Sequence, residues 1–294
     1  MKVLYIAPGD HMDYQSDTLL IGLKELLGAD VVDANKHHHL YDTFPAEELA
    51  NMYGKGMTTT RVLPDLFVDR NDIEGRIYAR EFDLVVFGAI WQSHLYLPQV
   101  LTTYPFDRVA FVDGQDEPTL HHLVGLPVPY FKRELFAHSS ATLPGVHPIM
   151  FGIPTSKLDF SHPKTRDVAI CDPRDTSTYI YDDEASYYAG YGEARFGVTT
   201  RKAGWDCMRH YEILANGAIP AFLDIADCPP PTLEWFPKAR CLQVLNEGVS
   251  AETYDRHAEW FRDYTRTHLT TEAVARRFLE TMEGIAAGDV GLAA

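Results

Sequence analysis

The 294-residue sequence lacks the excess of basic residues carried by proteins that bind nucleic acid or anionic membranes. Lys and Arg total 26 against 42 for Asp and Glu, which gives a formal net charge of −16. Broad contact with phosphate backbones or lipid headgroups needs a basic face. We therefore expect no membrane partner. Nucleic acid is disfavoured as a partner but not excluded, and a local basic pocket for one small anionic ligand remains compatible with this charge.

Long apolar stretches are also missing, and we expect no leader segment. No stretch approaches the ~20 apolar residues of a membrane-spanning helix, and the apolar run near Met1 is too short for a signal peptide. The four cysteines form no C-x-x-C pair, so a zinc knuckle is disfavoured. Thiols spread through apolar stretches are typical of a reducing compartment. These features predict a soluble, cytoplasmic protein.

Three common catalytic signatures are absent. The chain contains no G-x-x-x-x-G-K-[ST], no G-x-G-x-x-G after its first strand and no G-x-S-x-G. Their absence argues against P-loop phosphate chemistry, dinucleotide redox binding and a hydrolase nucleophile elbow. The run "KHHHL" at 36–40 does not indicate a metal site, because adjacent histidines point in different directions. We expect neither a metal nor a cofactor.

The apolar pattern that is present indicates an α/β fold. Residues 3–7 are typical of a buried strand, and the leucine-rich helix that follows is predicted to begin at Ser16 or Asp17 and to stop at Gly28. A second strand follows at 30–35. This β-loop-α-β order is the opening of a doubly wound sheet. With an ordinary composition, the length allows roughly two domains.

Further elements are predicted in both halves of the chain. Continuous apolar runs predict strands at 82–90 and 108–114, and a further one at 147–154. The polar segment 155–166 separates a domain of residues 1–158 from one of residues 159–294. The second half has predicted strands at 167–171, 195–200, 218–224 and 239–245. Helices are predicted at 183–191, after Ser250, and from Thr271 with an apolar face between Val274 and Ile285.

The stretch "KAGWDCMRHYEILANGAIP" at 202–220 concentrates charge at the start of a helix. Asp206 is the predicted N-cap, and Lys202 and Arg209 bracket a helix N-terminus whose free N–H groups favour anions. This combination predicts a phosphate or diphosphate site, with Glu212 one turn further for ribose hydroxyls. The alternative is an Arg209–Glu212 pair on a solvated helix face, which would contribute only ~0.2–0.5 kcal/mol.

Residues 204–238 resemble the donor half of a glycosyltransferase-like family of bacteria and viruses that is related to CgeB-type and exostosin-type proteins. The family pattern is R-x-[YF]-E-x-[LM]-A-x-G-x-[IV]-P, and the matching residues are Arg209, Tyr211, Glu212, Leu214, Ala215, Gly217, Ile219 and Pro220. The stretches "FVDGQDE" at 111–117 and "PYFKREL" at 129–135 resemble the acceptor half.

The resemblance implies a GT-B architecture, in which two Rossmann-like domains face each other across a cleft and the second domain is compact here. It also implies that a sugar nucleotide binds mainly to the second domain. The donor-binding residues are then Lys202, Asp206, Arg209, His210 and Glu212. Because the cations and the helix dipole can hold a diphosphate leaving group, a metal is not required.

The loop "PGDHMDYQSD" follows the first strand, at the sheet edge where ligands of open α/β folds bind. An inverting transferase needs a general base there, and His11 paired with Asp13 would serve, with Asp10 beside them. The alternative is a polar loop whose aspartates stabilise turns.

Other polar residues are predicted at the cleft edge. Asp113 and Asp116 follow a strand and could bind acceptor hydroxyls, or they could be turn residues. Lys132 and Arg133 could orient a phosphate or pair with Glu134. Trp91 could stack on a sugar ring, or it could pack between domains.

These features together predict a glycosyltransferase that moves a sugar from a nucleotide-diphosphate sugar to a small-molecule or glycan acceptor. One alternative is a phage-type transferase that acts on DNA bases, against which the net charge of −16 argues. Another is a non-catalytic nucleotide or sugar binder. It is suggested by the short donor half and by Gly204, which stands where many retaining GT-B enzymes have an acidic residue.

Overall fold

The computed structural model describes residues 1–136, 143–248 and 250–288. Its first sheet has six parallel strands, in the order β2-β1-β3-β4-β5-β6. Their bounds are Val3–Ile6 (β1), Val31–Asp33 (β2), Leu84–Phe87 (β3), Val109–Asp113 (β4), Tyr130–Lys132 (β5) and Val146–Pro148 (β6). The strand order reverses beside β1, which creates a crevice at the carboxyl edge of the sheet.

The predicted strands of this first sheet are confirmed at their centres and are shorter at their ends. Strands β3 and β4 lie within the predicted ranges 82–90 and 108–114. Of the predicted 147–154 strand, only the first residues belong to β6, and Ile153 instead forms an isolated bridge with Thr270. Strand β5 was not predicted, because its three residues carry too short a pattern.

Helices that flank the first sheet include α1 (Tyr14–Leu27), α2 (Ile73–Tyr78) and α3 (Leu97–Thr103). The predicted cap of α1 was wrong. Asp13, not Ser16 or Asp17, is the N-cap, and its carboxylate accepts hydrogen bonds from the Gln15 and Ser16 amides. Gly28 ends the helix with a φ of 58°, a conformation that glycine adopts without a steric penalty.

The second sheet has three parallel strands, β7 (Arg166–Val168), β8 (Ala194–Thr199) and β9 (Ile219–Phe222), in that order. Its helices are α4 (Glu184–Gly192), α5 (Met208–Ala215) and α6 (Lys238–Glu247). Helix α6 corrects the strand predicted at 239–245. Its buried residues Cys241 and Val244 are three apart, which is a helical spacing that a short apolar run does not distinguish from a strand.

Two helices, α7 (Ala251–Tyr264) and α8 (Thr271–Ala287), complete the fold. Both were predicted, and Ser250 caps α7 through a capping box with Thr253. Helix α8 returns to the beginning of the chain and packs closely on α1. Its buried apolar residues are Val274, Ala275, Phe278, Met282 and Ile285.

The fold is therefore mixed α/β with two parallel sheets, as the sequence predicts. The largest hydrophobic cluster contains side chains of both sheets, for example Tyr5 of β1 and Phe222 of β9. A smaller cluster behind the first sheet packs against α2 and α3. Within the described residues, no helix combines the length and apolar content needed to cross a membrane. The domain boundary at 158/159 stays a prediction, and residues 137–142, 249 and 289–294 of the two predicted domains lie outside the described ranges.

Candidate functional site

A cleft of about 540 Å³ lies where the carboxyl ends of strands from both sheets meet. The segments after β1, β4 and β5 bring Asp13, Asp116 and Arg133 to its wall, and the segment between β8 and α5 brings Lys202 and Asp206. The cleft is thus built from residues more than 190 positions apart, since Asp13 and Glu212 both line it. The carboxyl edge of parallel strands is where ligands of open α/β folds bind.

Helix α5 is buried along its whole length, so the solvated-face alternative for Arg209 and Glu212 was wrong. The two side chains do not pair with each other. Arg209 lies in the first turn and lines the cleft, stacked over the Tyr179 ring with its guanidinium carbon 5.4 Å from the ring centroid. Its Nη2 donates to the Tyr179 hydroxyl at 2.7 Å. Its Nε and Nη1 are buried and have no hydrogen-bond partner among the described residues.

Glu212 is buried and also lines the cleft. Its Oε1 accepts a hydrogen bond from the Thr58 hydroxyl, and its Oε2 accepts one of 2.7 Å from the Tyr187 hydroxyl. Burial raises the pKa of this carboxyl above its ordinary value. Glu212 therefore lies in the cleft, as a residue that binds ribose hydroxyls would. Both of its carboxylate oxygens, however, already accept hydrogen bonds from hydroxyl groups of the protein.

Asp206 lines the cleft. It was predicted to cap α5, and this prediction was wrong. Cys207 is the N-cap residue and makes no side-chain cap. The Asp206 carboxylate is buried and instead accepts hydrogen bonds from the Phe151 amide at 2.8 Å and the Tyr211 hydroxyl at 2.8 Å. Burial raises the pKa of Asp206 to about 7, against the opposing effect of nearby Arg133.

His210 was predicted at the donor site, and this prediction was wrong. Its ring is buried, within hydrogen-bond distance of the Thr199 hydroxyl and the Trp205 carbonyl, both at 2.8 Å. It is not among the residues that line the cleft. Burial lowers its pKa to about 3, so the ring is neutral near pH 7. Lys202 is exposed and lines the cleft, and its role in donor binding stays a prediction.

The four charged residues predicted at the cleft edge, which lie in or after β4 and β5, divide into two groups. Asp113 and Lys132 are register partners on β4 and β5, and the lysine Nζ lies 2.8 Å from the Asp113 carboxylate in the sheet interior. Both side chains are fully buried and outside the cleft, so their predicted role in ligand contact was wrong. Asp116 and Arg133 do line the cleft and form an ion pair there.

Gly204 packs directly against this group. A Cβ atom at Gly204 would lie 2.5 Å from Oε1 of Glu134 and 3.1 Å from Nη1 of Arg133. The Glu134 carboxylate also accepts the Asp206 amide at 2.9 Å. A side chain at position 204 would therefore require the Glu134 carboxylate to move.

The first loop separates the two predicted base residues. Asp13 lines the cleft, whereas His11 and Asp10 are exposed outside it. The predicted His11–Asp13 pair does not form. The Nδ1 atom of His11 contacts Asp10 at 3.0 Å, and Gln92 lies between His11 and Asp13, with its Nε2 2.6 Å from Oδ2 of Asp13. Burial raises the pKa of Asp13, and the Asp10 contact raises that of His11.

Trp91 does not line the cleft. Its ring packs edge-on against His121, with the ring centroids 4.8 Å apart, next to His94 and His122. The side chain is 40% exposed, so it packs on a loop and not on the second sheet. The structure therefore places Trp91 outside the cleft, beside His121.

Several residues of the cleft were missed by sequence reasoning. They are mainly aromatic and come from segments without regular strands, namely Tyr14, Tyr53, Phe151, Tyr179 and Tyr187. The tyrosine-rich stretch at 178–191 was a visible signal, although its partners could not be inferred. No sequence pattern placed Tyr53 and Met57 at the cleft, because the residues that they meet there are distant in sequence.

In the described part of the chain, no three His, Cys, Asp or Glu side chains are grouped as a metal site would require. A scan against protein-family models and a search of curated proteins found no match to this chain. The arrangement of charges in the cleft is therefore the main basis for a functional conclusion. Three cationic side chains line the cleft, of which Arg133 is paired with Asp116, and carboxylates lie on both walls.

Proposed function

We propose that this protein is a glycosyltransferase that uses a nucleotide-diphosphate sugar, with its two parallel sheets acting as the two sides of a GT-B-like site. The donor diphosphate would bind Lys202, Arg209 and the N-terminus of α5, and Glu212 would face the ribose. The acceptor, a small molecule or a glycan, would enter from the side of the first sheet, near Asp116 and Arg133. These positions all line one cleft, which supports the proposal.

The observation that carries the proposal is the state of Arg209. Arg209 is 8% exposed, and the buried Nε and Nη1 atoms of its guanidinium have given up hydration without gaining hydrogen-bond partners among the described residues. Buried charged groups are normally paired, because desolvation is costly. A diphosphate in the cleft would supply the counter-charge that this guanidinium lacks, at a helix N-terminus that itself favours anions. Lys202, exposed at the cleft, would add a second positive charge.

Asp13 is the residue best placed to accept a proton from the acceptor hydroxyl. It lines the wall on the side of the first sheet, and burial raises its pKa above the ordinary aspartate value. A more basic carboxylate is a better proton acceptor near neutral pH. In this scheme, Arg209 and Lys202 stabilise the negative charge that develops on the departing diphosphate.

Calorimetric titration with UDP, ADP and GDP tests the donor site. Arg209→Ala should weaken binding of the tightest of the three by roughly ten- to a hundredfold, since a charge-assisted hydrogen bond contributes about 1.5–3 kcal/mol. Arg276→Ala is the matched control, because Arg276 is exposed on α8 and pairs only with Glu272. Equal affinities for wild type and Arg209→Ala would refute the donor-site assignment.

A turnover assay distinguishes the transferase from a non-catalytic binder. Sugar nucleotides would be incubated with the protein, and release of nucleoside diphosphate would be followed with and without candidate acceptors. Binding without any release would favour the binder. That alternative gains support from Glu212, whose two oxygens already accept hydrogen bonds from Thr58 and Tyr187.

A further inference from the structure

A loop from the N-terminal part of the chain reaches α4, beside the second sheet, and Tyr53, Gly54 and Met57 of this loop line the cleft. We refer to residues 53–61 as the crossing loop. Its Lys55 Nζ donates to the Tyr181 carbonyl at 2.9 Å and pairs with Asp182. The Thr58 amide donates to the Glu184 carboxylate at 2.6 Å. The crossing loop is thus fastened to the start of α4.

The centre of this attachment is the Thr58 hydroxyl. It donates to Oε1 of Glu212 and accepts a hydrogen bond of 3.0 Å from Tyr188. Thr58 and Glu212 are 154 positions apart in sequence, and both are buried. A secondary alcohol that donates to a buried carboxylate is the same chemical contact that a ribose hydroxyl would make there.

The backbone of the crossing loop is held in a costly conformation. Lys55, Thr58 and Arg61 all have positive φ values, and that of Thr58 is 75°. For a β-branched residue this is a strained region of conformational space, which persists only where the surroundings enforce it. Release of the crossing loop would relieve this strain. The closed position is therefore maintained by its contacts to Glu184, Glu212 and Asp182.

We propose that the crossing loop is a displaceable latch, in which Thr58 occupies the position on Glu212 that a ribose hydroxyl of the nucleotide takes. Binding of a nucleoside diphosphate would then exchange the Thr58–Glu212 hydrogen bond for a ribose–Glu212 hydrogen bond and release the crossing loop. This inference rests on the proposed function, because it assigns the ribose to Glu212. It adds that the apparent affinity for the ligand equals the intrinsic affinity multiplied by the fraction of molecules in which the loop is open.

Calorimetric titration of wild type, Thr58→Ser and Thr58→Ala with UDP, ADP, GDP and pyrophosphate tests this latch. Thr58→Ala removes the competing hydroxyl, so it should tighten binding of the preferred nucleoside diphosphate by about three- to tenfold. Thr58→Ser keeps the hydroxyl and should bind like wild type. Pyrophosphate has no ribose, so its affinity should be the same for all three proteins.

A second variant and a second measurement guard against a folding defect in Thr58→Ala. Lys55→Ala removes the exposed ion pair with Asp182 and the hydrogen bond to the Tyr181 carbonyl, and it should tighten nucleoside diphosphate binding in the same direction, by a smaller factor. In wild type, the ligand should also accelerate hydrogen exchange of amides 54–61. Unchanged or weaker nucleotide binding in Thr58→Ala, or slower exchange with ligand bound, overturns the latch alone. Failure of every protein to bind any of these nucleotides overturns the proposed function, and the latch with it.

Discussion

At the scale of single residues, Asp13 has a structural role besides the chemical role proposed for it. Its Oδ1 accepts the Gln15 and Ser16 amides at 3.0 Å and so caps α1, while Oδ2 accepts from Gln92. Asparagine caps a helix about as well as aspartate, but it cannot accept a proton at neutral pH. The two roles can therefore be separated by one substitution.

Asp13→Asn should keep the fold and nucleotide affinity but lower kcat by ~10²–10⁴-fold, the range typical of a lost general base. His11→Ala should change kcat little, because His11 lies outside the cleft and bonds to Asp10 and Gln92. Steady-state rates of sugar transfer, with UDP, ADP or GDP affinity as the fold control, compare the two variants. A large loss of kcat in His11→Ala with little loss in Asp13→Asn would reverse these roles.

At the scale of secondary-structure elements, the contact between α1 and α8 depends on one glycine. A Cβ atom at Gly22 would lie 2.0 Å from the Thr271 carbonyl oxygen and 2.8 Å from the Ala275 Cβ. The obstacle is backbone, which cannot rotate away as a side chain can. The two helices can therefore approach this closely only because position 22 has no side chain.

Gly22→Ala should lower the free energy of unfolding by about 1–3 kcal/mol or more, as expected for overpacking in a dense core. Gly125→Ala is the control, because nothing lies within 4 Å of a Cβ atom there. Urea denaturation of both variants measures the difference. Equal stabilities of Gly22→Ala and wild type would mean that the helices separate without penalty.

At the scale of the whole molecule, Asp206 joins the two sheets. Its carboxylate accepts the Phe151 amide, which follows β6 of the first sheet, and the Tyr211 hydroxyl of α5 beside the second. Its backbone carbonyl accepts Nη1 of Arg133 at 2.6 Å. Burial raises the pKa of Asp206 from 3.8 to about 7. Between these two pH values, Asp206 of the folded protein therefore keeps a proton that the unfolded chain has released. Its contribution to stability is therefore lost as the pH rises from about 4 to about 7.

Asp206→Asn removes this titration. The free energy of unfolding of the variant, relative to wild type, should therefore increase between pH 4 and pH 7. The change should be on the order of 4 kcal/mol, since each pKa unit corresponds to about 1.4 kcal/mol. Denaturation at several pH values measures it, and Asp263→Asn, an exposed carboxylate paired with Arg266, is the control. A difference that does not vary with pH would show that Asp206 titrates alike in both states.

The sequence by itself determined the local elements of this protein. Continuous apolar runs predicted parallel strands such as β3 and β4, and capping residues and apolar spacing predicted α7 and α8. It also predicted that Arg209 and Glu212 belong to a helix after β8, at the edge where ligands bind. Two elements with short apolar runs were not predicted correctly. The run in α6 predicted a strand, and the three residues of β5 were missed, because so few residues do not define an apolar period.

Only the tertiary structure decided which of the candidate side chains share the cleft. Asp113 and Lys132 are paired inside the sheet, whereas Arg133, the first residue after β5, reaches the cleft. His210 follows Arg209 directly and yet is buried away from it. The Thr58–Glu212 hydrogen bond joins distant segments, and no local pattern encodes such a contact. Burial and long-range packing set the pKa of Asp206 and the free nitrogens of Arg209, so these properties exist only in the folded chain.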